Sequence, residues 1–249
     1  MEKNPIGVFD SGIGGISVLK EITKILPNEE YIYYADSKHN PYGSKDSEEL
    51  LKITSNIVDY LIDRKCKIIV IACNTATTVC IEALREKYPN MLFIGIVPAI
   101  KIAYDNNSIN TLVLATPYTV KSKRVDELVS TYKHENQTIT LLPCLNLANT
   151  IEFHEDKINE LLKNQLQDYK DKNYDTIILG CTHYSLIKNK IKEYFPNANI
   201  VDGNKGIANE TKRKLEEHNL LWLKDEKTSI EFICSDENQK EKCEYIYNL

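Results

Sequence analysis

No apolar run in the sequence approaches the roughly 20 residues that a membrane-spanning helix needs. The opening stretch, MEKNPIGVFD, also lacks the positive region and apolar core of a secretory signal. An excess of positive charge is missing as well. The net charge of −5 argues against nucleic acid as the main partner, because phosphate binding requires a basic surface. These absences predict a cytoplasmic enzyme or binding protein with neither a membrane nor a nucleic-acid partner.

None of the seven cysteines forms a Cys-x-x-Cys pair, and their number is odd. A disulfide framework or a cysteine-rich zinc site is therefore not expected. Each cysteine is then either a small buried residue or a reactive thiol in a reducing compartment. The sequence also has no recognisable signature for pyridoxal phosphate, flavin or a metal ion, so neither a cofactor nor a metal is expected.

The glycine-rich stretch VFDSGIGGISVLKEI, residues 8–22, lacks both common nucleotide-binding fingerprints. A dinucleotide fingerprint needs a glycine three residues after Gly14, where Ser17 stands, and a P-loop needs a Gly-Lys-Ser or Gly-Lys-Thr ending. What remains is a tight turn from a strand to a helix that carries Asp10. Glycine supports such turns through positive φ and close packing, so the stretch alone leaves open both a structural turn and a chemical role for Asp10.

Short apolar runs alternate with amphipathic helical patterns along the chain. The helical pattern is clearest in SVLKEITKIL and EELLKITSNIVDYLIDR, where apolar residues recur on one face. Near-continuous apolar strands between such helices are typical of an α/β fold, with parallel sheets covered on both faces. The predicted strands are 6–9, 31–35, 67–73, 93–97, 111–116, 138–144, 176–181 and 199–203.

The chain also contains an internal repeat. KIIVIACNTATT and TIILGCTHYSL are apolar strands that end in cysteine before a helix, and their cysteines, Cys73 and Cys181, are 108 residues apart. GVFDSG has a counterpart at a similar offset in LVLATPYT. The repeat predicts two similar halves, with the tail after residue 219 packed on the first. Ligands of open α/β sheets bind at the carboxyl ends of strands, where Asp10, Thr116 and both cysteines fall.

Polar neighbours distinguish Cys73 and Cys181 from the other cysteines. Asn74 follows the first, and His183 lies two residues after the second. Small polar residues in a first helical turn cap the backbone and create an anion site. The same helix end lowers the pKa of a nearby thiol from its usual value of about 8.5. His183 and Asp10 are candidate acid or base partners for Cys181 and Cys73, respectively.

Several functions remain open for two such thiols. A Cys-His hydrolase would use one nucleophile and leave the other cysteine without a role, and a redox pair usually lies close in sequence. Inversion of a stereocentre needs both thiols, because one removes the α-proton and the other returns a proton to the opposite face. A binding module without turnover is an alternative from another class. The glycine turn favours it, but a binding module has no need for two activated thiols.

Five segments carry a family resemblance: GVFDSGIGG (7–15), NPYGSK (40–45), ACNTAT (72–77), TVKS (119–122) and LGCTHY (179–184). In this order they resemble the glutamate racemase family of the aspartate/glutamate racemase superfamily, over most of residues 6–203. The resemblance implies two pseudo-symmetric, flavodoxin-like α/β domains with parallel sheets and an active site in the cleft between them. The expected first domain is 1–97 plus 208–249, and the expected second domain is 98–207.

The resemblance implies a cytoplasmic homodimer that interconverts L- and D-glutamate without a cofactor and supplies D-glutamate for peptidoglycan. Cys73 and Cys181 would be the two proton donors and acceptors. Asp10 would assist the first thiol, and His183 the second. Glu152 would add a catalytic carboxylate, on a segment, LNLANTIEF, that departs from the usual run of the family. Aspartate or another α-acidic substrate stays open, because a sequence does not measure the depth of a pocket.

The resemblance also implies a set of substrate contacts without lysine or arginine. The substrate carboxylates would therefore be held by backbone N–H groups and hydroxyls at helix N-termini. The implied contacts are Asp10, Ser11, Tyr42, Gly43, Asn74, Thr75, Thr116, Thr119, Thr182 and His183.

Overall fold

The computed structural model describes residues 3–133, 135–224 and 228–249, in which strands and helices alternate. No helix in these ranges is both long and apolar enough to cross a membrane. The strands are β1 (Ile6–Asp10), β2 (Glu30–Ala35), β3 (Ile68–Ile71), β4 (Phe93–Gly95), β5 (Asn110–Ala115), β6 (Thr138–Pro143), β7 (Thr176–Gly180), β8 (Asn199–Asp202) and β9 (Ser229–Cys234).

The helices follow the strands in the alternation that the apolar pattern predicts. They are α1 (Ile16–Ile25), α2 (Ser47–Asp63), α3 (Asn74–Lys87), α4 (Ile100–Asp105), α5 (Pro117–Val120), α6 (Lys123–Tyr132), α7 (Leu147–Phe153), α8 (Ile158–Leu166), α9 (Thr182–Leu186), α10 (Lys188–Tyr194), α11 (Asn204–Glu217) and α12 (Lys240–Asn248). Short 3₁₀ turns interrupt several of the connections between these elements.

The chain divides into two compact units. Val97–Gly203 forms the second unit, and the chain before and after this stretch forms the first. The boundaries expected from the sequence, after residues 97 and 207, lie one and four residues further along the chain than those of the units.

The first unit contains a parallel sheet with the strand order β4-β3-β1-β2-β9. Its central strand, β1, is buried along its whole length, because helices cover both faces of a sheet of this kind. One face packs against α2 and α3, where Leu50, Leu61 and Leu84 meet Ile69 and Ile71 of the sheet in one apolar cluster. This packing explains why β3 is apolar throughout and why β1 is apolar up to Asp10.

The second unit repeats the topology of the first. Its parallel sheet has the order β6-β5-β7-β8. Numbered within each unit, the first four strands of both sheets run 2-1-3-4, as the first four strands of a flavodoxin-like sheet do, and β9 adds a fifth strand to the first sheet. The order reverses between the first and third strands of each unit, and the crevice at such a switch point is where ligands of open α/β sheets bind. The predicted α/β fold with two parallel sheets is confirmed.

Three edge strands differ from what the sequence predicted. The strands β6 and β8 are partly exposed rather than buried, because each forms an edge of its sheet. Strand β9 was not predicted, and it extends the first sheet by pairing in parallel with β2. Phe232 of β9 packs edge-to-face against Tyr33 of β2, with the ring centroids 6.0 Å apart. The expectation that the tail packs on the first half is confirmed.

Candidate active site

The glycine-rich turn after β1 holds Asp10 in one position. Asp10 is buried, and its Oδ1 accepts a hydrogen bond from the Gly12 N–H at 3.0 Å. The Tyr33 hydroxyl donates to the Gly12 carbonyl oxygen at 2.6 Å. A Cβ on Gly15 would lie 2.5 Å from the Asp10 Cβ and 2.8 Å from the Tyr33 hydroxyl. Gly15 is therefore required by the close approach of Asp10, not by a positive φ.

Cys73 caps the N-terminus of α3. Its Sγ accepts a hydrogen bond from the Ala76 N–H at 3.5 Å and lies 3.8 Å from the Ser11 Oγ, to which the thiol donates. The N-cap position places the sulfur at the positive end of the helix, where a negative charge is favoured. The side chain is buried. The first unit thus holds a buried thiol at the positive end of a helix.

Asn74 and Thr75 form the first turn of α3, and both side chains are buried. The Oδ1 of Asn74 is enclosed and has no hydrogen-bond partner among the described residues. A buried amide oxygen without a donor costs free energy. The first turn of α3 therefore offers an acceptor that a ligand with an N–H group would satisfy.

The second unit places Cys181, His183 and Glu152 in a chain of contacts. The Cys181 Sγ lies 4.0 Å from the Nδ1 of His183, and the Nε2 of His183 lies 2.7 Å from the Glu152 Oε2. All three side chains are buried. Burial by itself would lower the pKa of His183, but hydrogen bonds and charges from Cys181 and Glu152 raise it well above its usual value. The contacts favour an imidazolium beside the thiol.

Two threonines follow β5, at the position that corresponds to the turn after β1. The Thr116 Oγ1 accepts a hydrogen bond from the Thr119 N–H at 3.3 Å and donates to the Thr119 Oγ1 at 3.0 Å. Thr182, in the first turn of α9, is also buried. The second unit therefore has hydroxyl groups beside its thiol but no lysine or arginine among the predicted contacts.

The structure collects the predicted residues into two sets, each near the carboxyl ends of the strands of its own sheet. No three His, Cys, Asp or Glu side chains within the described ranges are arranged to hold a metal ion. The first unit contains Asp10, Ser11, Tyr42, Gly43, Cys73, Asn74 and Thr75, and the second contains Thr116, Thr119, Glu152, Cys181, Thr182 and His183.

Asp36 and Asn40 were not predicted from the sequence as residues of the site. Asp36 is buried, and its Oδ2 accepts a hydrogen bond from the Tyr42 hydroxyl at 2.7 Å. The Asn40 Nδ2 donates to the Ser11 carbonyl oxygen at 3.2 Å. The sequence signal that could have indicated Asp36 is its position, because an acid directly after a parallel strand lies at the edge of the sheet where ligands bind.

The chain matches known proteins over nearly its whole length. The family model described as Asp/Glu/Hydantoin racemase matches residues 6–211. A glutamate racemase from Clostridium botulinum (strain Alaska E43 / Type E3) is 43% identical over 244 residues, which cover 96% of this chain and 94% of that protein. A glutamate racemase from Campylobacter curvus is 41% identical and covers 93% of this chain, which spans 90% of that protein.

Solved structures show the same fold. The glutamate racemase of Escherichia coli, in complex with L-glutamate and the activator UDP-MurNAc-ala, has a TM-score of 0.85 and 31% identity, covering 98% of this chain and 95% of that chain. The glutamate racemase of Francisella tularensis, in complex with D-glutamate, has a TM-score of 0.84 and 28% identity, covering 99% of this chain and 94% of that one.

Proposed function

The chain belongs to the Asp/Glu/hydantoin racemase family, and from this premise we propose that it interconverts L- and D-glutamate with two cysteines and no cofactor. Relatives at 40% identity or more over nearly the full chain are named glutamate racemase. The observation that carries the proposal is a repeated thiol: Cys73 and Cys181 each follow the third strand of their unit and stand at the start of a helix.

The reaction requires a base on one face of the α-carbon and an acid on the other. From L-glutamate, the Cys181 thiolate removes the α-proton, and the electron pair remains on the α-carbon, beside the carboxylate. The Cys73 thiol then donates its proton to the opposite face, which gives D-glutamate. The reverse reaction exchanges the two roles. Each thiol must therefore serve as an acid in one direction and as a base in the other.

The two thiols have different partners in this proposal. His183 supports Cys181, because an imidazolium 4.0 Å from the sulfur stabilises the thiolate, and Glu152 supports the imidazolium at 2.7 Å. Asp10 assists Cys73 from the end of β1, and the cap of α3 favours the Cys73 thiolate. The groups that support Cys181 therefore differ in kind from those that support Cys73.

Substrate recognition follows from the donors and acceptors available. The carboxylates of glutamate accept hydrogen bonds from N–H groups and hydroxyls at the starts of α3, α5 and α9, with Ser11, Tyr42, Gly43 and the threonines as contacts. The α-ammonium is the donor group of the substrate. It supplies the hydrogen bond that the enclosed Oδ1 of Asn74 lacks among the described residues.

The proposal is tested by following the circular dichroism of L-glutamate with purified enzyme and no added cofactor. We expect the signal to decay to zero, and the same end point to be reached from D-glutamate. L-Aspartate in the same assay separates the two acidic substrates, since we expect turnover at least about tenfold slower for a side chain one methylene shorter. A constant L-glutamate signal from folded enzyme refutes the proposal.

The finer part of the proposal concerns the cellular role. We also propose, from the resemblance of its motifs to those of the family, that the chain acts as a cytoplasmic homodimer and supplies D-glutamate for peptidoglycan. Light scattering coupled to size exclusion would report the mass of two 28.6 kDa chains. Expression in a bacterium that requires D-glutamate would restore growth without the supplement, and the Cys73→Ser variant would not.

A further inference from the structure

Asp36 is a buried carboxylate that the proposed mechanism does not use. It directly follows β2, and 1% of its surface is exposed. Its oxygens lie 2.7 Å from the Tyr42 hydroxyl, which donates to Oδ2, and 2.8 and 2.9 Å from the His39 Nδ1. The Asp36 N–H donates to the Asp10 carbonyl oxygen at 2.9 Å. Because burying a carboxylate is costly without such hydrogen bonds, these contacts fix where Asp36 lies.

The partners of Asp36 belong to the two 3₁₀ turns of the loop between β2 and α2. His39 ends the turn Ser37–His39, and Tyr42 begins the turn Tyr42–Ser44. A single carboxylate therefore contacts both turns, three and six residues further along the chain. The Asp36 side chain thus links the two turns of the loop.

The same loop is joined to the Cys73 side of the site. Asn40, between the two turns, donates from Nδ2 to the Ser11 carbonyl oxygen at 3.2 Å. The Ser11 Oγ accepts from the Cys73 thiol at 3.8 Å. The position of the loop and the position of the residues around the thiol are thus coupled through Ser11.

Tyr42 directs its proton towards Asp36. Burial raises the pKa of Tyr42 well above its usual value, and the charge and hydrogen bond of Asp36 and the charges of Cys73 and Asp10 raise it further. The raised pKa keeps the phenol protonated, so that it remains a hydrogen-bond donor to Asp36. The hydrogen bond to the Asp36 Oδ2 at 2.7 Å sets the direction in which the phenol donates.

We propose that Asp36 is a positioning residue, which holds Tyr42 and the 37–43 loop in the conformation that binds the substrate. The inference rests on the proposed function, because it takes Tyr42 and Gly43 as substrate contacts. A site that is ordered before binding does not lose affinity to the ordering of its own loop. Loss of the Asp36–Tyr42 hydrogen bond should therefore weaken glutamate binding more than it slows proton transfer.

The test measures kcat and KM in both directions for Asp36→Asn and Tyr42→Phe in the full chain. We expect KM for glutamate to rise about tenfold or more in each variant, because the hydrogen bond involves a charged acceptor. We expect kcat to change less than about threefold, because both thiols keep their own partners. A residue that only supported the fold would lower the amount of active enzyme and leave KM unchanged.

The double variant tests whether the two residues act through one interaction. If they do, KM in Asp36→Asn/Tyr42→Phe should be no higher than in the more affected single variant, whereas independent effects would multiply. Asp46→Asn is the matched control, since it is the same chemical change close by. Asp46 caps α2 by accepting the Glu49 N–H at 2.8 Å, so its replacement should leave KM unchanged.

If the wild-type enzyme is active and KM in both single variants stays within about twofold of the wild-type value, this inference is overturned and the proposed function is not. Tyr42→Phe carries the test if Asp36→Asn does not fold, because phenylalanine fills the same space and leaves Asp36 bonded to His39. A fall in kcat with unchanged KM would also overturn it. A wild-type enzyme without glutamate racemisation would refute the proposed function and this inference with it.

Discussion

Gly15 approaches Asp10 so closely that a methyl group does not fit. The added Cβ would lie 2.5 Å from the Asp10 Cβ, and the nearest hydroxyl, that of Tyr33, would lie at 2.8 Å. Gly15→Ala must therefore displace Asp10 or the turn. We expect a loss of about 1–3 kcal/mol in the free energy of unfolding. We also expect at least about a tenfold loss in kcat/KM, because a small misplacement of a reacting group is costly. Urea unfolding and the racemisation assay measure the two effects.

Gly206→Ala is the matched control for this prediction. Gly206 lies in α11, and a Cβ there meets nothing within 4 Å. Alanine favours a helix over glycine by about 0.5–1 kcal/mol, so this variant should gain stability and keep full activity. Equal activity in Gly15→Ala and Gly206→Ala would contradict a requirement for close packing around Asp10.

The buried contact between His183 and Glu152 makes stability depend on pH. Because the pKa of His183 is raised in the folded state, its contribution is fully present below the unfolded pKa of about 6.5 and is lost as the pH rises through the folded pKa. Glu152→Gln removes a charge that raises this pKa. We expect Glu152→Gln to have a lower free energy of unfolding than wild type at pH 6. The difference between the two proteins should become smaller as the pH rises.

Two measurements test this prediction: NMR titration of the His183 ring, and urea unfolding at several pH values. The His183 ring should titrate at lower pH in Glu152→Gln than in wild type. Glu155→Gln provides the control, because Glu155 is exposed and follows Glu152 by three residues. An unshifted His183 titration in Glu152→Gln would show that the carboxylate does not set the charge of the imidazole.

Among the elements, the central strands were predictable from sequence and the terminal strand was not. Strands β1, β3 and β7 are buried at every position and β5 at every position except Asn110, and apolar residues dominate their sequences. Strand β9, SIEFIC, is an edge strand, and all its residues except Phe232 are exposed or half-buried. Its place beside β2 depends on pairing across about 200 residues of chain, which local periodicity does not report.

Some residues of the candidate site were also predictable from the sequence, and others were not. Cys73 and Cys181 were predictable, because each ends an apolar strand and precedes a helix that its neighbours can cap. Asp36 was not, because its importance arises from the path of an irregular loop. That loop brings the hydroxyl of Tyr42, six residues away, to 2.7 Å from its carboxylate. Contacts made by irregular backbone leave no periodic signal in the sequence.

A buried ion pair joins the amino-terminal ends of β2 and β3 to the segment before β9. The Lys67 Nζ lies 2.5 Å from the Glu29 Oε2, with 7% and 1% of the two side chains exposed. Lys67 also donates to the Leu220 carbonyl oxygen at 2.8 Å, and Glu29 accepts from the Trp222 N–H at 2.9 Å. Lys67→Met would leave Glu29 buried without its cation. We expect it to lower the free energy of unfolding by about 3–5 kcal/mol.

Lys24→Met is the control for this prediction, since Lys24 pairs with Glu21 at 2.5 Å on an exposed part of α1. Exposed pairs contribute little, so its urea midpoint should match that of wild type. The racemisation assay should show normal kcat/KM in Lys67→Met at temperatures where it stays folded. Equal midpoints for the two variants would mean that the buried pair does not hold the carboxyl-terminal segment to the first unit.

At the scale of the whole molecule, the two units share a topology but not the groups around their thiols. The first four strands of both sheets run 2-1-3-4, and each unit presents one cysteine after its third strand. The first thiol has a serine hydroxyl and a helix cap, whereas the second has a histidine backed by a carboxylate. A racemase must work in both directions, so unequal surroundings should appear as unequal effects on the two enantiomers.

An elimination substrate separates the two thiols experimentally. In glutamate with a chloride at the β-carbon, a thiolate removes the α-proton, the electron pair forms the Cα–Cβ double bond, and chloride leaves. The thiol that would return a proton to the opposite face is not used. We expect Cys73→Ser and Cys181→Ser each to lower racemisation of glutamate at least about 1,000-fold, because a serine hydroxyl is a far poorer base than a thiolate.

Elimination should survive in each variant for one enantiomer only. Cys73→Ser keeps the thiol that we propose acts on L-glutamate and should release chloride from the L-enantiomer, and Cys181→Ser should do so from the D-enantiomer. Cys234→Ser makes the same change at a half-buried cysteine outside both sets, and it should keep both activities. Chloride release from each pure enantiomer is the measurement. If both variants lost the same enantiomer, or if either kept near-normal racemisation, one thiol would not serve each face of the α-carbon.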